Sequence, residues 1–321
     1  MNSSNTNPLK TEEEFTQLKN SLPKELWFNG NPMYLYQGFW IPKLESLIAF
    51  QHHFQAQDRD IFITSSRKAG TTWLKALIYA ICNRVNHPTS NSPLLTHNPH
   101  ELVPQLESNV YFKSKNPNLS GLKPPRLFGT HVPFTSLPNS IKDSKCKIIY
   151  IFRNTFDTLV SSWLFYQNVD DNKTLRPDLF GQYFDMFCEG RIPFGPFEDH
   201  VLGYWKQSLE QPDKVLFIKY EDLKAVPTTL LKKIAEFVGY PFSKEEELGG
   251  VIDDIVKLCS LQKLKEVADS NKSDRVYASC SNDKFFRKGE VGDWVNHVST
   301  SMVEKLGKIM EEKLCSSGLT I

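Results

Sequence analysis

The segment between residues 65 and 73 carries groups that are suited to binding a phosphate-like anion. It reads Ser-Ser-Arg-Lys-Ala-Gly-Thr-Thr-Trp, with Lys68 before the turn and Gly70 within it. A glycine-containing turn that opens a helix directs several backbone N–H groups at one point, where the helix dipole adds positive potential. The lysine precedes the glycine, so the segment differs from a Walker A loop. We therefore predict an anion-binding loop, with a simple threonine helix cap as the alternative.

Two further segments carry basic residues that are able to contact phosphate groups. Arg153 follows an apolar run, and Ser161 comes eight residues later. An arginine at a strand end can form two parallel hydrogen bonds with a phosphate; a surface ion pair with Asp157 is the alternative. The segment 285–294 places an Arg-Lys pair before two glycines, which predicts a basic loop that folds over a ligand. An exposed turn is the alternative there.

His131 is the residue that we select as a proton acceptor. It lies in the segment Gly-Thr-His-Val-Pro, residues 129–133, directly after an apolar run. The unperturbed pKa of histidine lies closer to neutral pH than that of other side chains, which suits it to general base catalysis. Its position at a strand end predicts that it lies with the other candidate groups, and a structural role is the alternative.

Apolar runs and helical patterns alternate along the chain. Four runs read as buried strands, and they cover residues 60–64, 126–130, 147–152 and 214–219. Helices are predicted around residues 73–81, 159–164, 198–210, 230–238, 245–259 and 300–314. This alternation predicts an α/β domain with a central parallel sheet flanked by helices, with ligands at the C-terminal strand ends. Residues 87–125, rich in Pro, Asn and Ser, are predicted to form loops with a short helix, as a lid or pocket wall.

Composition and charge exclude several classes of protein. The 321 residues are 40% hydrophobic and 23% charged, which is typical of a globular protein and excludes disorder of the whole chain. The formal net charge is +1, so we predict neither a nucleic acid nor a membrane partner. No apolar run approaches the ~18 residues that span a bilayer. We divide the chain into a flexible leader, residues 1–22, and a single domain, residues 23–321.

The cysteines and the metal-ligating residue types indicate location and cofactor chemistry. Six cysteines lie far apart and form no C-x-x-C pair, a pattern that favours free thiols in a reducing compartment. We therefore predict a cytoplasmic protein. No cluster of His, Cys and carboxylate residues has the spacing of a metal site, so we predict no metal.

Together, these segments resemble the cytosolic sulfotransferase family, and more closely its plant branch. The phosphosulfate loop of that family, Y-P-K-S-G-T-T-W, matches residues 66–73, and its T-H-x-P matches residues 130–133. Its 3′-phosphate segment, C-R-N-P-x-D-x-x-x-S, matches residues 152–161. Its K-Y-E-D-L and R-K-G-x-x-G-D-W motifs match residues 219–223 and 287–294. The motifs follow the order of the family over nearly the whole chain.

The resemblance implies a P-loop-kinase-like sulfotransferase fold and a specific donor. The donor is 3′-phosphoadenosine 5′-phosphosulfate (PAPS), whose sulfonate passes to an acceptor hydroxyl and leaves 3′,5′-adenosine bisphosphate (PAP). The implied catalytic residues are His131 as general base, Lys68 at the bridging oxygen of the leaving nucleotide, and Ser161, which holds that lysine until transfer. Trp73 and Tyr220 would meet the adenine. The residues implied to bind the donor are Lys68, Ala69, Gly70, Thr71, Thr72, Trp73, Arg153, Ser161, Tyr220, Arg287, Lys288 and Gly289.

The implied partner is a small hydroxylated molecule. Acceptors in the family include flavonols, steroids such as brassinosteroids, hydroxyjasmonate and desulfoglucosinolates. The chain has 22 phenylalanines, and Trp40, Phe112, Phe134 and Phe165 suggest an apolar, aromatic pocket, although most of the rings belong in the core. Of the mammalian dimer motif only Glu304 is present, so the sequence predicts no oligomeric state.

Several positions depart from the family pattern. Ser66 and Arg67 replace Tyr-Pro before the loop lysine, which removes a fixed φ and adds a cation. Thr155 replaces a proline, Leu261 replaces a phenylalanine near the adenine, and Gly129 lies where mammalian relatives have a lysine. The altered loop leaves open a second hypothesis, a nucleotide- or ligand-binding protein without transfer activity. A P-loop nucleotide kinase is a third hypothesis, which the position of the lysine disfavours.

Overall fold

The strands form two sheets in the computed structural model, which describes residues 12–28, 30–168, 176–271, 281–314 and 317–319. In chain order the strands are β1 Lys24–Leu26, β2 Pro32–Tyr36, β3 Phe39–Ile41, β4 Ile61–Thr64, β5 Leu127–Thr130, β6 Lys147–Phe152 and β7 Val215–Lys219. The four apolar runs correspond to β4, β5, β6 and β7. Each of these four strand predictions is confirmed to within one residue at both ends.

The central sheet is parallel and has the strand order β5-β4-β6-β7. Ile61 of β4 pairs with Leu127 of β5 and with Lys147 of β6, while Ile148 of β6 pairs with Val215 of β7. The predicted α/β architecture is therefore confirmed. The second sheet, β1-β2-β3, is antiparallel. We did not predict it, because strands of three to five residues leave little hydrophobic periodicity to detect.

Helices cover both faces of the central sheet. In chain order they are α1 Glu12–Ser21, α2 Leu44–His53, α3 Thr71–Asn83, α4 Pro99–Leu102, α5 Tyr111–Lys113, α6 Asn139–Asp143, α7 Thr155–Asn168, α8 Phe180–Cys188, α9 Phe197–Glu210, α10 Tyr220–Ala225, α11 Pro227–Phe237, α12 Lys244–Leu248, α13 Val251–Leu258, α14 Leu261–Ser270 and α15 Thr300–Leu314. All but one of the predicted helices are confirmed. The prediction of a single helix over 245–259 is wrong, because the backbone turns left-handed at Gly250 (φ 77°) and separates α12 from α13.

Each face of the central sheet packs into its own apolar core. Along β6, Ile148, Tyr150 and Phe152 pack with residues of α2, α9 and α15. The alternate residues Ile149 and Ile151 pack with residues of α3, α11 and α13 on the other face. Successive side chains of a strand point to opposite faces, so burial of both faces explains why the strands read as continuous apolar runs.

The segment predicted as a flexible leader, residues 1–22, is helical over part of its length. Residues 12–21 form α1, whose first turn carries glutamates, which are favourable near a helix N-terminus. Phe15, Leu18 and Leu22 are half-buried and pack against the larger core. Residues 1–11 lie outside the described residues, and the boundary at residue 23 stays a prediction. No helix in the part of the chain that the structure describes is long and apolar enough to cross a membrane.

Residues 87–125 connect α3 to β5 through short helical pieces, in agreement with the predicted loops and short helix. Two 3₁₀ turns precede α4, and a π-helical turn, Leu106–Val110, precedes α5. The polar residues that this segment buries include His100, Gln105 and Glu107. It therefore contributes polar groups to the protein interior as well as surface loops.

A buried polar network joins this segment to α3. Lys75 Nζ lies 2.8 Å from Gln105 Oε1 and 3.1 Å from His100 Nδ1. His100 Nε2 lies 2.9 Å from Thr72 Oγ1. Gln105 Nε2 donates to Glu107 Oε1 at 3.0 Å. Because buried polar groups cost free energy unless they are hydrogen-bonded, this network fixes the helix and the segment relative to each other.

Gly129 of β5 leaves the space that Lys75 occupies. A Cβ atom at position 129 would lie 2.4 Å from both Lys75 Cε and Gln105 Oε1, a distance that packed atoms do not reach. Burial lowers the pKa of Lys75 to about 7, while the charge of Glu107 acts in the opposite direction. A lysine from α3 therefore packs against the backbone of Gly129.

Lys75 makes stability depend on pH. Its pKa is about 7 in the folded protein and about 10.4 in an unfolded chain, so between these values the unfolded chain binds more protons and the free energy of unfolding rises with pH. We expect the difference in unfolding free energy between wild type and Lys75→Met to rise by about 1 to 2 kcal/mol from pH 7.5 to pH 9.0, measured by urea denaturation. Lys308→Met, at an exposed position on α15, is the control. A difference that is constant with pH would contradict the lowered pKa.

Candidate active site

Residues that follow the four parallel strands line one cavity of about 1540 Å³. All the predicted site residues except Ala69 and Lys288 line it, and these are Lys68, Gly70, Thr71, Thr72, Trp73, His131, Arg153, Ser161, Tyr220, Arg287 and Gly289. Ala69 is fully buried. A pocket for one small ligand is typically about 300–1,000 Å³, so this cavity has room for two ligands.

The loop between β4 and α3 presents the helix N-terminus to the cavity. Gly70 caps α3 with a left-handed backbone, φ 112°, and a Cβ atom there would lie 2.7 Å from Tyr220 Cδ2. Lys68 also has a left-handed backbone, φ 66°, which is strained for a residue with a side chain. Its ammonium lies 3.9 Å from the centre of the Phe165 ring. The loop therefore places the N-terminus of α3 and a lysine charge at the cavity wall.

Arg153 lies in the cavity wall and not at the surface. It is 5% exposed, and its Nη2 donates to the Glu290 carbonyl at 2.6 Å. The alternative ion pair with Asp157 is present as well, at 3.7 Å. The guanidinium lies over the Tyr220 ring, 4.7 Å from its centre. Among the described residues its Nε has no hydrogen-bond partner, which is costly for a buried donor unless a ligand satisfies it.

Arg287 and Lys288 are both held by Asp293. Arg287 Nη1 lies 2.5 Å from Asp293 Oδ2, and Lys288 Nζ lies 2.7 Å from Oδ1. Burial acts to raise the pKa of Asp293, but the hydrogen bonds from Lys288 and Arg287 outweigh it and hold that pKa well below its usual range. Arg287 lines the cavity, and its Nε is buried without a partner in the part of the chain that is described.

Asp157 fastens the C-terminal basic loop to α7. Its carboxylate accepts hydrogen bonds from the N–H groups of Gly292, at 2.8 Å, and Trp294, at 3.1 Å. On the other side of the loop, Tyr220 Oη donates to the Gly289 carbonyl at 2.9 Å. The predicted basic loop therefore closes over the cavity from α7 to α10. The sequence analysis did not predict this function of Asp157.

One part of the cavity wall is aromatic and aliphatic. The rings of Trp73 and Tyr220 pack edge to face, 5.5 Å apart. Val256, Leu261 and Leu264 line the cavity as well. Leu261 supplies aliphatic surface, and its Cδ2 would lie 3.0 Å from a Cβ at Gly289. This wall offers mainly apolar contacts to a ligand.

His131 lines the cavity with its ring orientation fixed. Its Nδ1 lies 2.9 Å from the Ser65 carbonyl oxygen, so Nδ1 carries the proton and Nε2 is the basic nitrogen. Burial, followed by the charge of Arg67, lowers the pKa of His131 well below its usual value. The Phe194 ring lies beside the imidazole, with 6.3 Å between the ring centres. A neutral imidazole in this tautomer is able to accept a proton at neutral pH.

Two residues that the sequence analysis missed hold the backbone around His131. Glu107 accepts hydrogen bonds from the His131 N–H at 3.1 Å and from the Thr130 hydroxyl at 2.9 Å. His200 Nε2 donates to the His131 carbonyl at 2.9 Å, and His200 Nδ1 lies 3.0 Å from Tyr150 Oη. Burial lowers the pKa of His200 to about 4, so it is neutral. Neither residue belongs to a motif that would have identified it.

The aromatic wall of the cavity differs from the predicted one. Phe165 lines the cavity, but Trp40, Phe112 and Phe134 do not. Phe112 is 56% exposed and Phe134 belongs to the larger core, because aromatic residues are suited to cores as well as to pockets. Among the described residues, the Trp, Tyr and Phe side chains that line the cavity are Trp27, Phe28, Trp73, Phe165, Tyr166, Phe194, Tyr220, Phe285 and Phe286.

The described residues include four cysteines and several possible metal ligands. They contain no group of three or more His, Cys, Asp or Glu side chains that could hold a metal ion. The thiols of Cys82, Cys146, Cys188 and Cys259 are free, as predicted. The remaining cysteines of the sequence, at positions 280 and 315, lie outside the described residues.

Comparison with known proteins identifies the family. A sulfotransferase domain model matches residues 58–318. Cytosolic sulfotransferase 15 of Arabidopsis thaliana is 45% identical over 313 residues, which cover 96% of this chain and 87% of that protein. Cytosolic sulfotransferase 5 of the same plant is 46% identical over 312 residues, which cover 96% of each chain. The names of these relatives agree with the predicted cytoplasmic location.

Solved structures support the same conclusion. A crystal structure of an Arabidopsis thaliana protein assigned as a steroid sulphotransferase has a TM-score of 0.75 and 38% identity, covering 97% of this chain and 98% of that chain. The mouse sulfotransferase SULT7A1, crystallised with PAP, has a TM-score of 0.68 and 26% identity, covering 89% of this chain and 95% of that chain. The likeness thus extends over nearly the whole chain in both sequence and fold. The chain belongs to the cytosolic sulfotransferase family, and within it to the plant branch.

Proposed function

We propose that this protein transfers the sulfonate group of PAPS to a hydroxyl of a small, largely apolar acceptor of the flavonoid, steroid or hydroxyjasmonate type. The observation that carries the proposal is the convergence, in one cavity, of three cations with a neutral histidine. Lys68, Arg153 and Arg287 line this cavity together with His131. Membership of the family and the PAP complex of the mouse relative support the choice of donor.

The residues around the cavity fit such a nucleotide. The Nε atoms of Arg153 and Arg287 are buried donors without a partner in the described residues, and phosphate oxygens would satisfy them. The lack of a side chain at Gly70 lets the ring of Tyr220, a residue proposed to contact the adenine, pack against the loop. When bound, PAPS supplies the sulfonate group that is transferred. The residues that we propose to hold it are Lys68, Ala69, Gly70, Thr71, Thr72, Trp73, Arg153, Ser161, Tyr220, Arg287, Lys288 and Gly289.

His131 would serve as the general base. With Nδ1–H donated to the Ser65 carbonyl at 2.9 Å, Nε2 is available to take the proton of an acceptor hydroxyl in the cavity. The lowered pKa keeps the imidazole neutral at neutral pH, which is the form that can accept a proton. Base catalysis of this kind contributes ~10²–10⁴-fold to the rate.

Lys68 would stabilise the negative charge that develops on the leaving oxygen. Its ammonium lies over the Phe165 ring, where reduced contact with water strengthens electrostatic interactions. Loss of one such donor costs about 10²–10³-fold in kcat in other enzymes. Ser161 lines the same cavity, and we assign to it the task of holding Lys68 until the sulfonate is transferred.

The first prediction concerns binding of PAP, measured by isothermal titration calorimetry. We expect wild type to bind PAP with a Kd of about 1 µM or lower, which corresponds to about −8 kcal/mol. Arg153→Ala removes charge-assisted hydrogen bonds and should weaken binding by about 10- to 100-fold. Lys308→Ala, at an exposed site on α15, should bind as wild type does. Folded wild type that binds no PAP would rule out the proposed function.

The second prediction concerns His131 and pH. We expect His131→Gln to lower kcat by ~10²–10⁴-fold and to leave PAP affinity unchanged, because the histidine is placed on the acceptor. Because the pKa of His131 is lowered, kcat/KM of wild type should hold at pH 6.5 and fall only at lower pH, as the imidazole becomes protonated. The exposed His97→Gln variant is the control. Normal PAP binding with no transfer to any acceptor would instead favour a binding protein without transfer activity.

A further inference from the structure

The cavity carries more positive charge than the proposed donor uses. Lys68, Arg153 and Arg287 are assigned to the nucleotide and the transferred group. Lys43 and Arg67 line the same cavity, and neither forms an ion pair with a carboxylate of the described residues. Two cations in a partly enclosed cavity repel each other and attract an anion. Lys43 and Arg67 are therefore candidates to bind an anionic group of the second ligand.

Arg67 is fixed against the aromatic wall. Its Nη1 donates to Tyr166 Oη at 2.8 Å, and its guanidinium carbon lies 5.6 Å from the centre of that ring. Tyr166 in turn packs edge to face on Trp27, with 5.6 Å between the ring centres. These contacts hold the planar group in one orientation and engage one of its donors. The arginine replaces the proline that the family carries before the loop lysine, so this cation is an addition to the family pattern.

Lys43 lies between β3 and α2. Its ammonium is 3.3 Å from the centre of the Phe112 ring, and its side chain is half-buried. Burial and then the charge of Arg67 lower the pKa of Lys43 to about 8, with Glu107 acting in the opposite direction. Arg67 is also the leading charge that lowers the pKa of His131. Lys43, Arg67 and the proposed general base, His131, all line the same cavity.

We propose that Lys43 and Arg67 bind a carboxylate of the acceptor, so that the acceptor is a hydroxylated carboxylic acid with an apolar body. This inference rests on the proposed function and narrows its substrate class. The guanidinium of arginine matches the two oxygens of a carboxylate, and a lysine adds a point charge. The rings of Trp27 and Phe194 line the cavity as well and provide apolar surface for the rest of the molecule.

The experiment compares hydroxy acids with their methyl esters, because esterification removes the charge and keeps the hydroxyl and the apolar body. The probes are linear ω-hydroxy acids of increasing chain length and hydroxyphenyl alkanoic acids, each paired with its ester. Sulfonate transfer from PAPS is measured as kcat/KM. Binding of each probe to the PAP-loaded protein is measured by calorimetry, which needs no turnover.

Matched variants separate charge from structure. Arg67→Gln and Lys43→Gln remove one charge each, whereas Arg67→Lys and Lys43→Arg keep it. Lys308→Gln removes a charge on the exposed surface of α15. We expect wild type to prefer the acids by about 10- to 100-fold. The Arg67→Gln and Lys43→Gln variants should lose most of this preference. The charge-conserving variants and Lys308→Gln should retain it. All of the variants should bind PAP as wild type does, and this binding also shows that they are folded.

Three results would overturn the inference. Wild type that treats acids and esters alike would do so, as would an acid preference that persists in both Gln variants. A loss of PAP affinity in Arg67→Gln would do so as well, because it would assign Arg67 to the donor. Acid-selective binding without any transfer would support the carboxylate site and contradict the proposed sulfonate transfer. Equal transfer to acids and esters would contradict the carboxylate site alone.

Discussion

The geometry of the site depends on one buried carboxylate, that of Glu107. It accepts hydrogen bonds from the Gln105 side chain, the Thr130 hydroxyl and the backbone N–H of His131. Gln105 in turn accepts from Lys75 of α3, the helix that follows the loop around Gly70. A carboxylate in the interior is tolerated only when donors surround it. The requirement to satisfy this single group therefore fixes the backbone around His131, the segment 87–125 and α3 relative to one another.

The parallel sheet brings the groups that this constraint holds in place to one cavity. Its strands deliver the candidate groups to one edge, while the helices between them supply N-termini at the same edge. Arg153 and Arg287 come from loops after β6 and after α14, and Lys43 comes from the loop after β3. Lys68 and Arg67 are neighbours in the loop after β4. Because we assign Lys68 to the donor and Arg67 to the acceptor, this one loop would contact both ligands.

The sequence predicted the features that depend on residues close together in the chain. It did not predict the features that depend on contacts between distant residues. The four central strands are continuous apolar runs, and the loop around Gly70 combines a turn residue with a helix start, so both could be predicted. The supports of His131 could not, because His200 lies 69 residues away from it and reaches it only through packing of α9 on the sheet. The prediction of the aromatic wall was partly wrong for a different reason. The residue type alone does not distinguish Phe134, which lies in the core, from Phe165, which lines the cavity. The place of Lys75 in the polar network likewise depends on Gly129, because a side chain at position 129 would overlap Lys75. The sequence does not show that these two residues are neighbours.

The contact of Asp293 with Arg287 and Lys288 has a consequence for the exchange of nucleotides. A site of unpaired cations would hold a phosphate strongly and release it slowly. Here an internal carboxylate already occupies two of the basic side chains. In the proposed function, an incoming phosphate would therefore share them with Asp293 and gain only part of their attraction. When the nucleotide left, the same carboxylate would restore the pairing. The loop carries its own counter-ion, which would limit how tightly the spent donor is retained.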